Sequence, residues 1–262
     1  MRLAFAATFL AISAAGAFAA DLPIYTKAPP PPVAVYTWTG CYLGANGGGL
    51  WANKRWVNTD INEPALYGRE ITSHTASGGM GGGQVGCDYQ MGTWVFGIQG
   101  DYDAVSATGS GLDENNPRFN DESNVRGLGT ITLRAGYTVT SQFLLYARGG
   151  VAFERDRYNV YLLPGGILTN QVGQIITPGL TATGDQNRTG GVISLGGEYL
   201  ITKNWSVFAE ASYLDFGTQT ITLQSTQVQR PFLTMDVRER KEVVRVGVDY
   251  RFNMAGPVAA RF

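Results

Sequence analysis

Histidine is almost missing from this 262-residue chain, with His74 the single instance, and cysteine is limited to Cys41 and Cys87. That supply is too poor for a metal centre. Any Ser-His-Asp arrangement would have to use His74, whose sequence neighbours Ser73 and Ser77 stand in no nucleophile motif, so no catalytic residues and no enzyme activity are expected. Charge is scarce too, at 16% of residues with a formal net charge of −1, which gives no electrostatic footing for nucleic acid. Long hydrophobic runs are absent beyond the N-terminus, so a membrane-embedded form of this chain has to cross as strands rather than helices. The glycines from Gly78 to Gly83 lie inside a strand pattern, not at a strand-to-helix turn, and so make no phosphate loop.

What the chain does have is alternation. Val244, Val246, Val248, Tyr250 and Phe252 fall on one face of a period-2 strand, and Arg245, Gly247, Asp249 and Arg251 on the other. The same pattern recurs upstream over about 39–52, 77–89, 93–105, 124–139, 143–155, 189–201 and 205–214, so eight strands are expected with the last at 243–252. Averaging over alternate faces explains a mean hydropathy of only −0.07. The short connections 90–92, 140–142 and 202–204 alternate with the long ones 53–76, 108–123, 156–188 and 219–238. An all-β, antiparallel up-and-down transmembrane barrel produces this alternation, with tight turns toward the periplasm and longer loops outside. A soluble barrel of lipocalin type is the competing fold, and it requires apolar residues inside. Trp38, Tyr89, Trp94, Tyr137, Phe143, Tyr199, Trp205, Tyr250 and Phe252 gather at the short-turn end, as an interfacial aromatic girdle would.

Met1-Arg2, an apolar stretch and Ala17-Phe18-Ala19 read as a signal peptide over 1–19 that leaves Ala20 as the mature start. Residues 20–37, with four consecutive prolines, read as a semi-rigid periplasmic spacer. The barrel domain is expected over 38–252 and a tail without alternation over 253–262. Phase places Asp88, Asp101, Asp103, Arg126, Arg134, Arg148, Glu154, Glu198, Glu210, Arg245, Asp249 and Arg251 in the lumen. Unpaired buried charge is costly, so these are expected to form an ion-paired plug instead of an open pore. Cys41 and Cys87 both point outward near the inner ends of adjacent strands, and in an exported protein a cross-strand disulfide is expected. Ile167, Leu168, Ile175 and Ile176 form an apolar cluster in the third long connection, a contact surface for a partner or a packing core for the loop itself.

Three segments, Tyr36-Thr37-Trp38-Thr39-Gly40-Cys41-Tyr42-Leu43-Gly44, Tyr213-Leu214-Asp215-Phe216-Gly217 and Arg245-Val246-Gly247-Val248-Asp249-Tyr250-Arg251-Phe252, resemble the Omp25/Omp31-type outer-membrane barrel family of alphaproteobacteria. The resemblance implies a porin-family-like barrel in the outer membrane, bathed in outer-membrane lipid and inserted by the barrel-assembly machinery. The assembly signal falls on Val244, Val246, Val248, Tyr250 and Phe252 rather than on the terminal Phe262. It further implies peptidoglycan attachment through Ala20 of an Ala-Asp start and, for some relatives, haem binding, with Tyr67 and His74 as the ligands on offer here. No cofactor is expected in the barrel itself. The function expected is structural, with loops presented outside; a small-solute channel and a loop-based receptor or adhesin are the alternatives.

Overall fold

Strand content follows from composition: alternating β-branched, aromatic and glycine residues with no helical period leave the backbone little choice but inter-strand pairing. A computed structural model describes residues 36–61, 64–165, 168–169, 175–227 and 231–252. The expected signal peptide, the expected spacer with Ala20 apart from Tyr36 and Thr37, and the expected tail lie outside the described residues.

Ten strands follow in chain order: β1 (Gly40–Asn58), β2 (Glu70–Met91), β3 (Trp94–Leu112), β4 (Phe119–Thr138), β5 (Phe143–Leu162), β6 (Leu168–Thr169), β7 (Ile175–Ile176), β8 (Gly179–Leu200), β9 (Trp205–Ser225) and β10 (Pro231–Phe252). Eight close into an antiparallel barrel in the order β1-β10-β9-β8-β5-β4-β3-β2, and β6 with β7 forms a small separate ladder in the third outer connection. Closure is a continuous ladder between first and last strands, from Cys41 opposite Phe252 to Asn58 opposite Met235. Such closure leaves no strand edge unpaired in lipid.

The inner turns are 92–93, 139–142 and 201–204. Gly92 takes the left-handed conformation (φ 63°) that the two-residue turn needs. Thr140 and Thr202 serve the four-residue turns alike: each hydroxyl accepts from the backbone N–H groups two and three residues on, at 3.3 and 3.0 Å in both cases.

Strand inner ends fall within about two residues of where alternation places them, but every outer end, that of β1 at Asn58 included, extends by five residues or more. Twenty residues at a rise of ~3.3 Å and a tilt of ~40° stand about 50 Å tall, twice the ~25 Å apolar band of such barrels. The barrel therefore has two halves with opposite polarity. In the inner half Leu43, Val85, Ile98, Leu133, Leu195 and Val246 are exposed outward while charged groups are buried inside. In the outer half Trp56, Ile71, Tyr158, Val160, Leu223, Met235 and Val237 fill the axis, and Arg55, Arg155, Arg238 and Arg240 face out. Lipid surrounds the first half and water the second, so each puts its apolar side where no water is.

Candidate functional site

The lumen is solid and layered. At the inner mouth Trp38, Val95, Leu144, Tyr146 and Leu200 pack together. Trp38 is a correction to the girdle: it is fully buried, its carbonyl accepts from Arg251 Nη1 (3.2 Å), and its ring lies 4.8 Å from that guanidinium. It precedes β1 and so escapes strand phase. The other girdle aromatics are outward, with Trp94 edge-on to Tyr137 and Trp205 edge-on to Tyr250.

Above this floor two arginines and two carboxylates form a ring. Arg251 Nη2 meets Asp88 at 3.0 Å and Glu198 at 2.8 Å, while Arg134 reaches Asp88 at 3.3 Å and also pairs with Glu198. Tyr146 lies 3.9 Å from the Arg134 guanidinium, a cation-π contact that favours the charge where water is excluded. The next layer joins Arg148 to Asp101 (3.0 Å) and Glu210, and Arg245 to Asp101 (3.0 Å), Asp103 (2.9 Å) and Glu210 (2.8 Å). Asp249 accepts from Gln84 at 2.7 Å between the two layers. Room for these side chains comes from glycine: a Cβ at Gly82 would stand 2.5 Å from Asp103 Oδ1 and 2.0 Å from the Tyr102 carbonyl.

An apolar storey follows, built from Leu50, Met80, Val105, Leu128, Val192 and Phe216 among others. Beyond it lies a third ion layer that alternation alone does not reveal. Lys54 meets Asp156 and Glu239 (3.1 Å), Lys241 meets Glu154 and Glu239 (3.0 Å), and Arg188 meets Glu239 (2.8 Å). Of these six only Glu154 belongs to the expected set; the others fall in, or at the edge of, stretches that read as loop. The carboxylates of Glu154, Asp156 and Glu239 approach within 4.8 Å of one another, as cation ligands do. Here the cations are the two ammonium groups and the guanidinium, three positive charges against three negative.

Eleven of the twelve expected lumen charges are buried. Arg126 is the exception and is exposed on the outer wall. The β4–β5 ladder shifts register between Val125 and Gly127, so the buried set changes from Asp121, Ser123 and Val125 to Leu128, Thr130, Thr132 and Arg134. A bulge inserts one residue and reverses the parity on which the assignment of Arg126 rested.

Cys41 and Cys87 are register partners with Cα atoms 3.9 Å apart, and their sulfurs are bonded. His74 turns into the outer half of the lumen. Its ring packs edge-on to Trp56, and its Nε2 lies 2.8 Å from Ser123 Oγ. No sequence motif links these two, which the β2-β3-β4 succession of strands brings together; Ser123 is fully buried. Ser73 and Ser77 face outward on β2. Tyr67 is exposed on the turn 59–69. In the third outer connection Ile175 is exposed and Ile176 buried, and Ile167 lies outside the described residues.

Two electrostatic features belong to the outer half, beyond the lipid-facing band. Burial, together with the Lys54 charge, lowers His74 to about 4. Burial, then Asp113, pushes the Asp121 carboxyl up to about 8.

Known proteins bear the same signature. Residues 5–252 match the family described as outer membrane protein beta-barrel domain. The 31 kDa outer-membrane immunogenic proteins of Brucella melitensis and Brucella suis are each 28% identical over 262 residues, spanning 96% of this chain and all of theirs. Among solved structures, the outer membrane protein OprG from Pseudomonas aeruginosa shares the fold at 14% identity and a TM-score of 0.50, over 84% of this chain and 99% of that one. The chain thus belongs to the outer membrane protein beta-barrel domain family, is of Omp25/Omp31 type, and resides in the bacterial outer membrane.

Proposed function

We propose that this protein is a non-catalytic, non-conducting wall element of the outer membrane that holds surface loops above the bilayer and supports envelope integrity. The observation that carries this reading is the succession of ion-paired layers and dry apolar storeys across the lumen. A hydrated ion entering it would have to displace paired charges and then cross Leu50, Leu128 and Phe216 without water. Surface display accords with the relatives' name, which calls them immunogenic. The apolar outer face of Val244 to Phe252 serves as the assembly signal, and Ala20 is offered as the peptidoglycan link; muropeptide mass spectrometry lacking an Ala20-started peptide removes the latter.

Single-channel recording of refolded protein in planar bilayers tests the closed lumen. The expected record is flat at about 100 mV in about 1 M salt, although that potential is worth ~2.3 kcal/mol per elementary charge. Stepwise conductance abolished by substituting Arg148 or Arg245 establishes the channel alternative instead.

A further inference from the structure

The outer wall of β1, β2 and β10 carries a cationic cleft directly above a strip of wall without side chains. Arg55 and Arg238 are partners across the β1–β10 ladder, Asn53 faces Arg240 one step inward, and Ser73 faces Arg55 across the β1–β2 ladder. Together Asn53, Arg55, Ser73, Arg238 and Arg240 line a surface groove. Like charges placed opposite each other destabilise a sheet unless an anion lies between them. The carboxylates nearby do not supply one fully: Glu70 binds Arg55 at 2.8 Å, Asp215 touches Arg240 at 3.5 Å, and Arg238 has no ion pair among the described residues. Glu242, exposed, stands two residues inward of Arg240. Asn53 Oδ1 already accepts from Thr75 Oγ1 (2.8 Å), which leaves its amide hydrogens for the groove. The free groups of the cleft are donors, as an anionic oxygen cluster requires.

Height identifies the environment. Arg240 is twelve residues along β10 from Phe252 in the aromatic girdle, about 30 Å up at the usual rise and tilt, which is the headgroup level beyond a ~25 Å apolar band. Just below, Gly47 faces Gly81 and Gly49 faces Gly79 in the β1–β2 ladder, all four on the lipid side. Packing does not demand glycine at three of them. A Cβ would meet nothing closer than 3.7 Å at Gly47, 4.0 Å at Gly79 and 3.6 Å at Gly81, whereas lumen-facing Gly48 and Gly78 would clash at 2.0 and 1.9 Å. Gly47, Gly79 and Gly81 leave a shallow trough between Val246 of β10 and Ala104 of β3, closed at its top by the Trp51 ring, which lies against Gly49.

We propose that this wall is a fixed binding site for one phosphate-bearing lipid of the outer leaflet. Its headgroup phosphate is held by Arg55, Arg238, Arg240 and Ser73, and an acyl chain lies along Gly47, Gly79 and Gly81. Neither half alone defines a lipid. A phosphate cleft above a side-chain-free trough, with only the Trp51–Glu242 pair between them, does.

The test is titration of the refolded full chain in neutral detergent with diphosphoryl lipid A, read by native mass spectrometry, with heat-modifiable migration confirming the barrel in every variant. Expected are one lipid per barrel and a dissociation constant raised at least about tenfold in Arg238→Gln/Arg240→Gln, recovered in part by the lysine pair. Gly81→Val, which fills the trough, weakens binding while leaving migration unchanged, and 10 mM inorganic phosphate, on the order of a weak anion-site constant, fails to displace the lipid. Wild-type affinity in the arginine variant overturns the site. Displacement by inorganic phosphate, or an unaffected Gly81→Val, overturns its assignment to lipid.

Discussion

His74 and Asp121 sit on the lumen side of the outer half, and burial moves their proton affinities in opposite directions. For His74 the folded value, about 4, lies below the unfolded 6.5. The neutral ring is thus the form that folding favours, and its stabilising share is present above the unfolded value and lost as pH falls toward 4. The urea midpoint difference between wild type and His74→Gln is expected to shrink between pH 7 and pH 4.5, roughly the span of that titration. Asp121 behaves the other way: with a folded value raised to about 8 from 3.8, its share is complete at acid pH and lost as pH rises through 8. Asp121→Asn should therefore raise the midpoint far more at about pH 9, above the folded value, than at about pH 4, near the unfolded one. A wild-type midpoint that falls alongside the variant's between those pH values contradicts the assignment. Of the individual side chains, those on uninterrupted strands were legible, since phase alone puts Arg134, Arg148 and Arg251 inside. Arg126 was not, because a bulge leaves no mark in an alternation of Val, Arg and Gly. Trp38 was not either, because a residue before the first strand has no phase.

At the scale of elements, the first hairpin is closed covalently at its inner end by Cys41 and Cys87, 46 residues apart. Chain entropy gives such a loop roughly 4 kcal/mol of stabilisation against the reduced unfolded chain. Cys41→Ala/Cys87→Ala should fold into the same barrel and lose its heat-modifiable migration at a lower temperature; an unchanged transition shows that strand pairing alone fixes the hairpin. The pairing itself was readable because two outward cysteines near the inner ends of consecutive strands can only meet. Strand length was not. Alternation of apolar with polar residues stops signalling strand where the outer face meets water, so the outer parts of β1, β5, β8, β9 and β10 read as loop, and Lys54, Asp156, Arg188, Glu239 and Lys241 were lost with them. The three inner turns, by contrast, were fixed by the closeness of the flanking apolar runs.

For the molecule as a whole, the charged side chains of the lumen are buried and paired with one another. Arg148→Met strands Glu210 and Asp101 beside a single remaining partner, Arg245, and is expected to cost about 3–5 kcal/mol in urea unfolding. Arg148→Met with Glu210→Met restores much of that loss, because both desolvated charges leave together. A double variant as unstable as the sum of the singles would show no coupling between the two charges and contradict the pairing. The reversal of polarity halfway up the wall is what lets one strand set serve lipid below and water above. It is tested most directly by spin labels placed singly on the outward positions of β10, from Arg238 to Tyr250, in the cysteine-free barrel refolded into bilayers. Labels at 244, 246, 248 and 250 should be relaxed by oxygen and shielded from a water-soluble nickel chelate, with the preference reversing at 240 and 238. Chelate access at every position, or oxygen preference persisting through 238, would contradict the account.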